Sequence, residues 1–228
     1  MISVALAAYH GEDYIEEQLN SILPQLEPAD EVVVSDDAPG GKTEEIVRRM
    51  AKEDGRIRYL EGPGKGVIQN FDYAIKACRG DFIFLCDQDD VWLPEKVAVC
   101  MDAFHDGADL VVHDAIVVDK DLNELSPSFF DAHGSRAGFL RNVMKNSYMG
   151  CCMAFRSTLK PKILPIPKTA PMHDQYIGLQ AEHAGTVEFR KVPLILYRQH
   201  GDNVTGHPTS LADKLKWRRE IIRLTMQK

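Results

Sequence analysis

Short apolar runs alternate with amphipathic stretches over the first part of the chain. The runs are rich in Val, Leu, Ile and Ala, and polar residues, Gly or Pro bound each of them. Uninterrupted apolar strands separated by helices are typical of a parallel sheet that is covered on both faces. The pattern predicts strands at residues 2–8, 31–35, 57–60 and 81–86, and helices at residues 11–23, 42–54 and 67–78.

The second part of the chain is less regular and predicts a small additional antiparallel region. After a strand at 110–118 and a hairpin connection at 122–125, the pattern predicts shorter elements. These are strands at 150–155, 187–192 and 194–198, and helices at 139–146 and 173–183. From residue 210 onward, apolar residues alternate with Lys and Arg at helical spacing, which predicts a basic amphipathic helix over 210–228.

These elements together predict an α/β fold with a Rossmann-like, mostly parallel central sheet flanked by helices. Ligands of such sheets bind beyond the carboxyl ends of the strands. The residues that directly follow the predicted strands are therefore the candidate functional ones. They are Tyr9 and His10, then Asp36 and Asp37, then Asp87 to Asp90.

Composition narrows the class of protein. The 228 residues carry a net charge of -7, which argues against a nucleic-acid partner, since such domains are usually strongly basic. The five cysteines form no CxxC pair, so a reducing cytosol is the simplest expectation. The apolar run at the N-terminus is too short for a signal peptide or a membrane span. We expect a cytoplasmic protein that would reach a membrane only from its surface.

Three carboxylates follow the fourth predicted strand within four positions. Asp87, Asp89 and Asp90 repel one another unless something compensates their charge. Oxygen ligands without thiolates favour Mg²⁺ or Mn²⁺ over zinc, so the cluster predicts a site for one of these cations. The alternative is that Asp89 or Asp90 caps a helix that starts near Leu93 and Pro94.

The pair Asp36 and Asp37 follows the second predicted strand. It suits either a turn before Gly40 and Gly41 or a contact with a cation, a ribose or a base. A further pair, His113 and Asp114, lies within a predicted strand and lacks the other ligands of a metal site, so we interpret it as structural.

Four motifs make the chain recognisable. Their order and predicted strand positions resemble the family 2 glycosyltransferases of GT-A fold, and the resemblance is nearest to rhamnosyltransferase-like members that build bacterial surface polysaccharides. It covers nearly the whole chain. The motifs are Ser-Val-Ala-Leu-Ala-Ala-Tyr at 3–9, Val-Ser-Asp-Asp at 34–37, Arg-Gly-Asp-Phe-Ile-Phe-Leu-Cys-Asp-Gln-Asp-Asp-Val-Trp at 79–92, and Tyr-Arg-Gln-His-Gly-Asp-Asn-Val-Thr-Gly at 197–206.

The resemblance implies an inverting transfer of a sugar from a nucleotide-diphosphate-sugar to an acceptor hydroxyl, with Mn²⁺ or Mg²⁺ as cofactor. The acceptor would be a saccharide or a lipid-linked saccharide of O-antigen, capsule or exopolysaccharide synthesis. Residues 1–209 would form the GT-A domain, with the nucleotide part at 1–93 and the acceptor part at 94–209. Two departures stand out: His10 replaces the usual Asn, and Ala38 with Pro39 replaces the usual Gly-Ser.

The resemblance also implies roles for single residues. Asp174 would be the general base, although its sequence context fits a helix N-cap as well. His200 would complete a metal shell with Asp89 and Asp87, or would be an ordinary surface histidine. Gly150 and Cys151 would contact a sugar or simply pack in the core. The remaining predicted donor-binding residues are Ala7, Tyr9, Asp36, Asp37, Lys65, Gln69, Asp87, Gln88 and Asp89.

Other interpretations remain open from the sequence. One is a catalytically silent protein that binds nucleotide-sugars. Another is a sugar-phosphate nucleotidyltransferase, although residues 7–11 lack the Gly-rich loop with its following Arg and Lys. The basic helix at 210–228 either packs on the domain or a partner chain, with a homodimer as one candidate, or lies on the anionic inner face of the cytoplasmic membrane.

Overall fold

The computed structural model describes residues 1–199 and 211–227. Up to residue 87, strands and helices alternate as the apolar pattern predicts, and a short strand that was not predicted follows. The elements are β1 (Ile2–Ala8), α1 (Ile15–Ile22), β2 (Glu31–Asp36), α2 (Lys42–Glu53), β3 (Ile57–Glu61), α3 (Val67–Ala77), β4 (Phe82–Asp87) and β5 (Val91–Trp92). A 3₁₀ turn at Leu23–Gln25 contains Pro24 and extends α1 by one turn.

The second half contains shorter strands and more helices. Its elements are α4 (Lys96–His105), β6 (Leu110–Val118), β7 (Glu124–Ser126), α5 (Phe129–His133), α6 (Phe139–Met144), β8 (Met153–Arg156), α7 (Lys160–Ile163), α8 (His173–Ala184), β9 (Val187–Arg198) and α9 (Leu211–Met226). None of the helices in the described ranges is long and apolar enough to cross a membrane.

The described strands form one mixed sheet in the order β3-β2-β1-β4-β8-β6-β9-β5, with β7 paired to β6. The first four strands in this order are parallel, and β8 runs antiparallel between β4 and β6. Because β5 pairs with β9, residues from both halves of the chain share the sheet. The predicted α/β fold, with its parallel centre and small antiparallel region, is confirmed.

Burial explains why the central strands contain so few polar residues. Every residue of β1 and of β2 is buried, since helices cover both faces of the sheet. Polar residues in these strands are paired: the Ser3 hydroxyl donates to Glu31 at 2.7 Å, and Glu31 also binds Arg58. The apolar faces of α1 and α3 pack against the same core.

Three predicted strands differ in the structure. Residues 150–155 are not one strand, because Gly150–Cys152 form a 3₁₀ turn and β8 begins only at Met153. Residues 187–192 and 194–198 are not separate strands, because β9 is continuous across Pro193. Its register against β6 shifts around Asp114, which pairs with Pro193. A bulge of this kind accommodates a proline, which has no N–H to donate to the sheet.

Candidate active site

The candidate site lies where the strand order changes direction along the chain. From β1 the chain adds β2 and β3 on one side and then β4 on the other, so the carboxyl end of β1 borders a crevice. In the sheet register Asp36 is beside Ala8 and Asp87 is beside Ala7. The structure thus places two of the predicted acidic motifs on either side of the end of β1.

Asp36 and Asp37 both hold the backbone around this crevice. Buried Asp36 accepts hydrogen bonds from the Ala38 N–H at 3.0 Å and from the Tyr59 hydroxyl at 3.1 Å. The two carboxylate oxygens of Asp37 accept from the N–H groups of Gly64 and Gly66, each at 2.7 Å. The turn interpretation therefore holds for this pair, and contact with a nucleotide base stays a prediction.

Gln88 joins the ends of β1 and β4. Its side-chain oxygen accepts from the Tyr9 N–H at 2.8 Å, and its amide nitrogen donates to the Tyr9 carbonyl at 3.0 Å. This leaves the Tyr9 ring exposed at the crevice. A Cβ on Gly11 would lie 2.2 Å from the Gln88 Oε1, so glycine makes room for this clamp. The predicted donor contact of Gln88 remains untested, but its amide already binds the backbone.

The departure at His10 has a conformational explanation. His10 has a φ of +50°, in the left-handed region where Asn, Asp and His are enriched among non-glycine residues. Its ring contacts Tyr9 edge-to-face, with centroids 4.3 Å apart. Histidine is thus one of the few non-glycine residue types that adopt this conformation readily.

Lys65 and Gln69 lie at the edge of the crevice beside the loop that Asp37 holds. They line a cavity of about 420 Å³ together with Lys168 and the first residues of α3. The Gln69 amide donates to the Ile166 carbonyl at 3.3 Å. Two lysines at one opening suit an anionic ligand.

The acidic motif after β4 forms the centre of the site. Among the described residues, one group of metal-ligating side chains converges: atoms of Asp87, Asp90 and Cys151 lie within 4.8 Å of one another. Asp90 accepts from the Arg198 N–H at 3.2 Å through Oδ1, whereas its buried Oδ2 has no hydrogen-bond partner in the described part of the chain. The predicted capping role is wrong, because α4 begins at Lys96 with Glu95 as its N-cap.

The predicted metal ligands are only partly brought together. Asp87 belongs to the converging group, whereas Asp89 does not. The Asp89 carbonyl accepts from the Arg198 side chain at 2.8 Å, which anchors this motif to the end of β9. His200 lies outside the described residues. The set of Asp89, Asp87 and His200 therefore stays a prediction.

Asp174 lies in the first turn of α8, on the opposite wall of the site. The N-cap of α8 is Met172, so Asp174 is not the cap itself. Its Oδ1 accepts from the Gln175 N–H at 2.5 Å and from the Asn146 amide at 3.4 Å. A Cβ on Gly150 would lie 3.9 Å from the Asp174 Cβ. The predicted residues Gly150 and Asp174 therefore contact each other.

Charge repulsion and dehydration shift the acid–base properties of this centre. Burial and then the charges of Asp90, Asp89 and Asp174 raise the pKa of Asp87 well above its usual value. Burial and the neighbouring Asp89 raise the pKa of Asp90 to about 7. Burial raises the pKa of Asp174 to about 7. Excess negative charge in a dry site is a condition that a bound cation relieves.

The site contains a buried lysine that the sequence did not single out. Lys96 is fully buried, and its ammonium donates to the Cys151 carbonyl at 2.7 Å and lies 4.1 Å from the centre of the Trp92 ring. A signal was present, because Lys96 is in helical register with buried Cys100, Ala103 and Phe104 of α4. A lysine on an apolar helical stripe indicates a buried partner.

His173 was also missed. Its ring stacks on Phe71 with centroids 4.2 Å apart, and burial lowers its pKa to about 4. A Cβ on Gly150 would lie 2.9 Å from its Nε2, so the small residue at 150 leaves room for this ring beside Asp174.

The chain is similar to known glycosyltransferases. A family model described as glycosyl transferase family 2 matches residues 3–162. The chain is 26% identical over 162 residues to a Bacillus subtilis glycosyltransferase named for teichuronic acid biosynthesis, which covers 66% of this chain and 60% of that protein. It is also 26% identical over 213 residues to the B. subtilis glycosyltransferase EpsH, covering 87% and 61%. The chain thus spans less than two thirds of the length of either relative.

Solved structures share the fold at low sequence identity. Staphylococcus aureus TarS 1–349 in complex with UDP-GlcNAc superposes with a TM-score of 0.75 at 20% identity, over 98% of this chain and 66% of that one. The mannosyltransferase PcManGT from Pyrobaculum calidifontis, in complex with GDP-mannose and Mn²⁺, gives a TM-score of 0.64 at 18% identity, over 100% and 64%.

Proposed function

Since the chain belongs to glycosyl transferase family 2, we propose that it transfers a sugar from a nucleotide-diphosphate-sugar to an acceptor hydroxyl with inversion of configuration. The observation that carries this proposal is the convergence of Asp87 and Asp90 at the end of β4, beside the carboxyl end of β1, with Asp174 near enough for its charge to help raise the pKa of Asp87. A donor site at the strand ends would then face a candidate base on α8 across a short gap.

The donor would occupy the crevice between β1, β2 and β4. The exposed Tyr9 ring offers a flat surface for a base, and Lys65 and Lys168 line the adjacent cavity. Asp87 and Asp89 would hold the ribose and diphosphate side, with Mn²⁺ or Mg²⁺ as the cation. Two of the three ligands in the converging group, the carboxylates of Asp87 and Asp90, are of the kind that such an ion prefers, and the Oδ2 of Asp90 has no hydrogen-bond partner among the described residues. Bound there, the cation would neutralise the departing diphosphate.

Asp174 would accept the proton of the attacking hydroxyl. Its carboxylate is held at the start of α8 by Gln175 and Asn146, which fixes its direction. A pKa raised to about 7 makes it a stronger base than an ordinary carboxylate, yet one that is still partly ionised at neutral pH. Attack on the anomeric carbon from the face opposite the diphosphate would invert its configuration without a covalent intermediate.

The named functions of the relatives support bacterial surface polysaccharide synthesis as the setting, with a saccharide or lipid-linked saccharide as acceptor. The basic helix α9 supports a peripheral position on the anionic inner face of the membrane. The donor sugar is a matter for experiment. UDP-GlcNAc and GDP-mannose, which two structural neighbours bind, belong in a donor panel beside a nucleotide-linked rhamnose.

The first prediction tests the function through Asp174→Asn. We expect this variant to keep donor affinity, measured as the shift in melting temperature with Mn²⁺ and the donor that stabilises the parent most. We expect transfer to fall by at least about a hundredfold, because the amide accepts no proton. Asp131→Asn, in an exposed part of α5, is the matched control and should transfer at the parental rate.

Two outcomes count against the proposal. Transfer by Asp174→Asn at close to the parental rate would contradict the proposal that Asp174 is the general base. Donor and cation binding by the parent, without turnover of any donor with a range of acceptors, favours a silent binding protein.

A further inference from the structure

The converging group beneath the donor crevice contains two chemically different kinds of ligand. Asp87 and Asp90 offer carboxylate oxygens, and Cys151 offers a thiol sulfur, all within 4.8 Å. A site built for Mg²⁺ or Mn²⁺ uses oxygen ligands, whereas thiolates select softer ions such as Zn²⁺. The thiol is directed at the carboxylates of Asp87 and Asp90, to which it can hydrogen-bond, and it is the one ligand type of the group that Mg²⁺ or Mn²⁺ would not select.

A second observation points to a ligand at this position. Asp90 is 1% exposed, and its Oδ2 has no hydrogen-bond partner among the residues that the structure describes. Leaving a buried carboxylate oxygen without a partner is costly. Lys96 lies close by, but its ammonium donates to the Cys151 carbonyl. The Oδ2 is thus available to a cation.

A hydrogen bond to the backbone of Cys151 holds its thiol in place. Cys151 is 1% exposed and lies in the 3₁₀ turn Gly150–Cys152, and the bond from Lys96 to its carbonyl fixes that turn against the acidic motif. A preformed donor set loses little conformational freedom when an ion binds. Of these three residues, Asp87 alone is partly exposed to solvent, whereas Asp90 and Cys151 are buried. An ion would therefore enter past Asp87, from the donor side.

We propose that Asp87, Asp90 and Cys151 form a binding site for a thiophilic divalent cation such as Zn²⁺. The thiol loses its proton to solvent as the metal–sulfur bond forms, and the two carboxylates supply oxygen ligands at about 2.0–2.2 Å from the ion. Three protein ligands leave a fourth position open on the crevice side.

The site has a consequence for the reaction that rests on the proposed function. An ion held by Cys151 and Asp90 also engages Asp87, which removes this carboxylate from the donor and its own cation. Zn²⁺ therefore inhibits transfer that Mn²⁺ or Mg²⁺ supports, and Cys151 determines that sensitivity.

Cobalt binding tests the site without any need for activity. Co²⁺ added to metal-free protein should produce the near-ultraviolet charge-transfer absorption of a thiolate–Co²⁺ bond, and Zn²⁺ should abolish it. We expect Cys151→Ser to lose this absorption and Cys78→Ser, which alters a buried thiol outside the group, to keep it. Absence of the band in the parent, or its persistence in Cys151→Ser, overturns the proposal.

A second variant tests the site if the first one does not fold. Should Cys151→Ser fail to fold by circular dichroism, Asp90→Asn keeps the thiol and removes one carboxylate. Its Co²⁺ affinity should fall by at least about tenfold while a band remains. Unchanged affinity in Asp90→Asn contradicts the three-residue site.

Inhibition of sugar transfer by Zn²⁺ tests the consequence of this site for the reaction. With Mn²⁺ present, the Zn²⁺ concentration that halves transfer should rise by at least about tenfold in Cys151→Ser relative to the parent and to Cys78→Ser. Equal sensitivity of all three proteins removes the regulatory role. If the parent transfers no sugar at all, the proposed function fails while the cobalt experiment still decides the cation site.

Discussion

The properties of single residues at this site are set by shared dehydration. Asp87, Asp90 and Asp174 each have a raised pKa, and burial is the largest cause in every case. Burial, rather than any unusual residue type, separates these carboxylates from the exposed ones of the chain. The acid–base chemistry proposed for Asp174 therefore depends on the site staying dry.

The second prediction is a pH dependence of transfer. The raised pKa of Asp174 means that its base form is lost as pH falls through about 7. At one pH unit below that value only about a tenth of the carboxyl groups are ionised, so we expect kcat to be about tenfold below its plateau. Measuring kcat from acid to mildly alkaline pH with saturating donor checks this. A flat profile across neutrality contradicts it.

The third prediction concerns Gly11. A Cβ at this position meets the Gln88 side chain at 2.2 Å, so Gly11→Ala breaks the clamp on Tyr9 or shifts the backbone. We expect a loss of about 1–3 kcal/mol in the free energy of unfolding, measured by denaturant titration. Gly55→Ala is the matched control, because its Cβ meets nothing within 4 Å.

The double variant Gly11→Ala, Gln88→Ala separates the clash from other effects. Shortening residue 88 removes the colliding atoms, so the double variant should lose less stability than the sum of the two single variants. Strict additivity would show that the contact between Gly11 and Gln88 does not cause the loss.

At the scale of elements, α9 has two different faces. Its inner face, with Ile221, Leu224 and Thr225, is buried where the helix packs on α6 and α8. Its outer face carries an apolar stripe at helical spacing: Leu215 is 64%, Ile222 41% and Met226 65% exposed. The packing interpretation of this helix is thus confirmed for one face only.

Basic residues flank the exposed stripe of α9. Their positive charge favours an anionic membrane over a second copy of the chain as the partner of this face. Pairing with a second copy would bring like charges together, whereas an anionic bilayer neutralises them. The flanking basic residues are Lys214, Lys216, Arg218, Arg219 and Arg223.

The fourth prediction is binding of anionic vesicles through α9. The double variant Lys216→Glu, Arg219→Glu should lose at least about tenfold in affinity for vesicles containing phosphatidylglycerol, measured by co-sedimentation. The matched control reverses two exposed charges on α2, Lys42→Glu and Lys52→Glu, and gives the same net charge. Equal binding by both variants, or binding of the parent to neutral vesicles alone, contradicts the membrane role.

At the scale of the molecule, the two predicted parts 1–93 and 94–209 share one sheet. β8 pairs with β4, and β5 pairs with β9, so strands of each part complete the hydrogen bonding of the other. The boundary at residue 93 remains a functional prediction. On this prediction, residues 1–93 bind the donor and residues 94–209 bind the acceptor. The hydrophobic core is not interrupted at the boundary.

The fifth prediction is a single unfolding transition. Because the strands of both parts belong to one continuous sheet, ellipticity and the fluorescence of buried Trp92 should report the same denaturation midpoint. The variant Trp217→Phe removes the other, exposed tryptophan, so that fluorescence reports Trp92 alone. Midpoints that differ beyond error would indicate two separately folding parts.

Particular residues show how far sequence reasoning reached. The strands at the centre were predicted nearly to the residue, because burial on both faces leaves a continuous apolar run such as Ile2–Ala8. Residues Gly150–Cys152 were predicted as the start of a strand but form a 3₁₀ turn. The apolar run continues from these cysteines into the true strand, so the pattern does not show where the turn ends. The continuity of β9 was also missed, because Pro193 is tolerated only through a bulge opposite Asp114.

The sequence by itself determined the fold class and the family, because apolar periodicity and strand-end motifs are local properties of the chain. It also named Asp87, Asp89 and Asp174 as candidate residues of one site, and their shared role stays a prediction. Only the tertiary structure decided their surroundings: the partner-free oxygen of Asp90, the thiol of Cys151 and the ammonium of Lys96. These groups come from separate elements, β4 and its following loop, a 3₁₀ turn and α4. Their distances and hydration arise from packing between elements, which no local pattern contains.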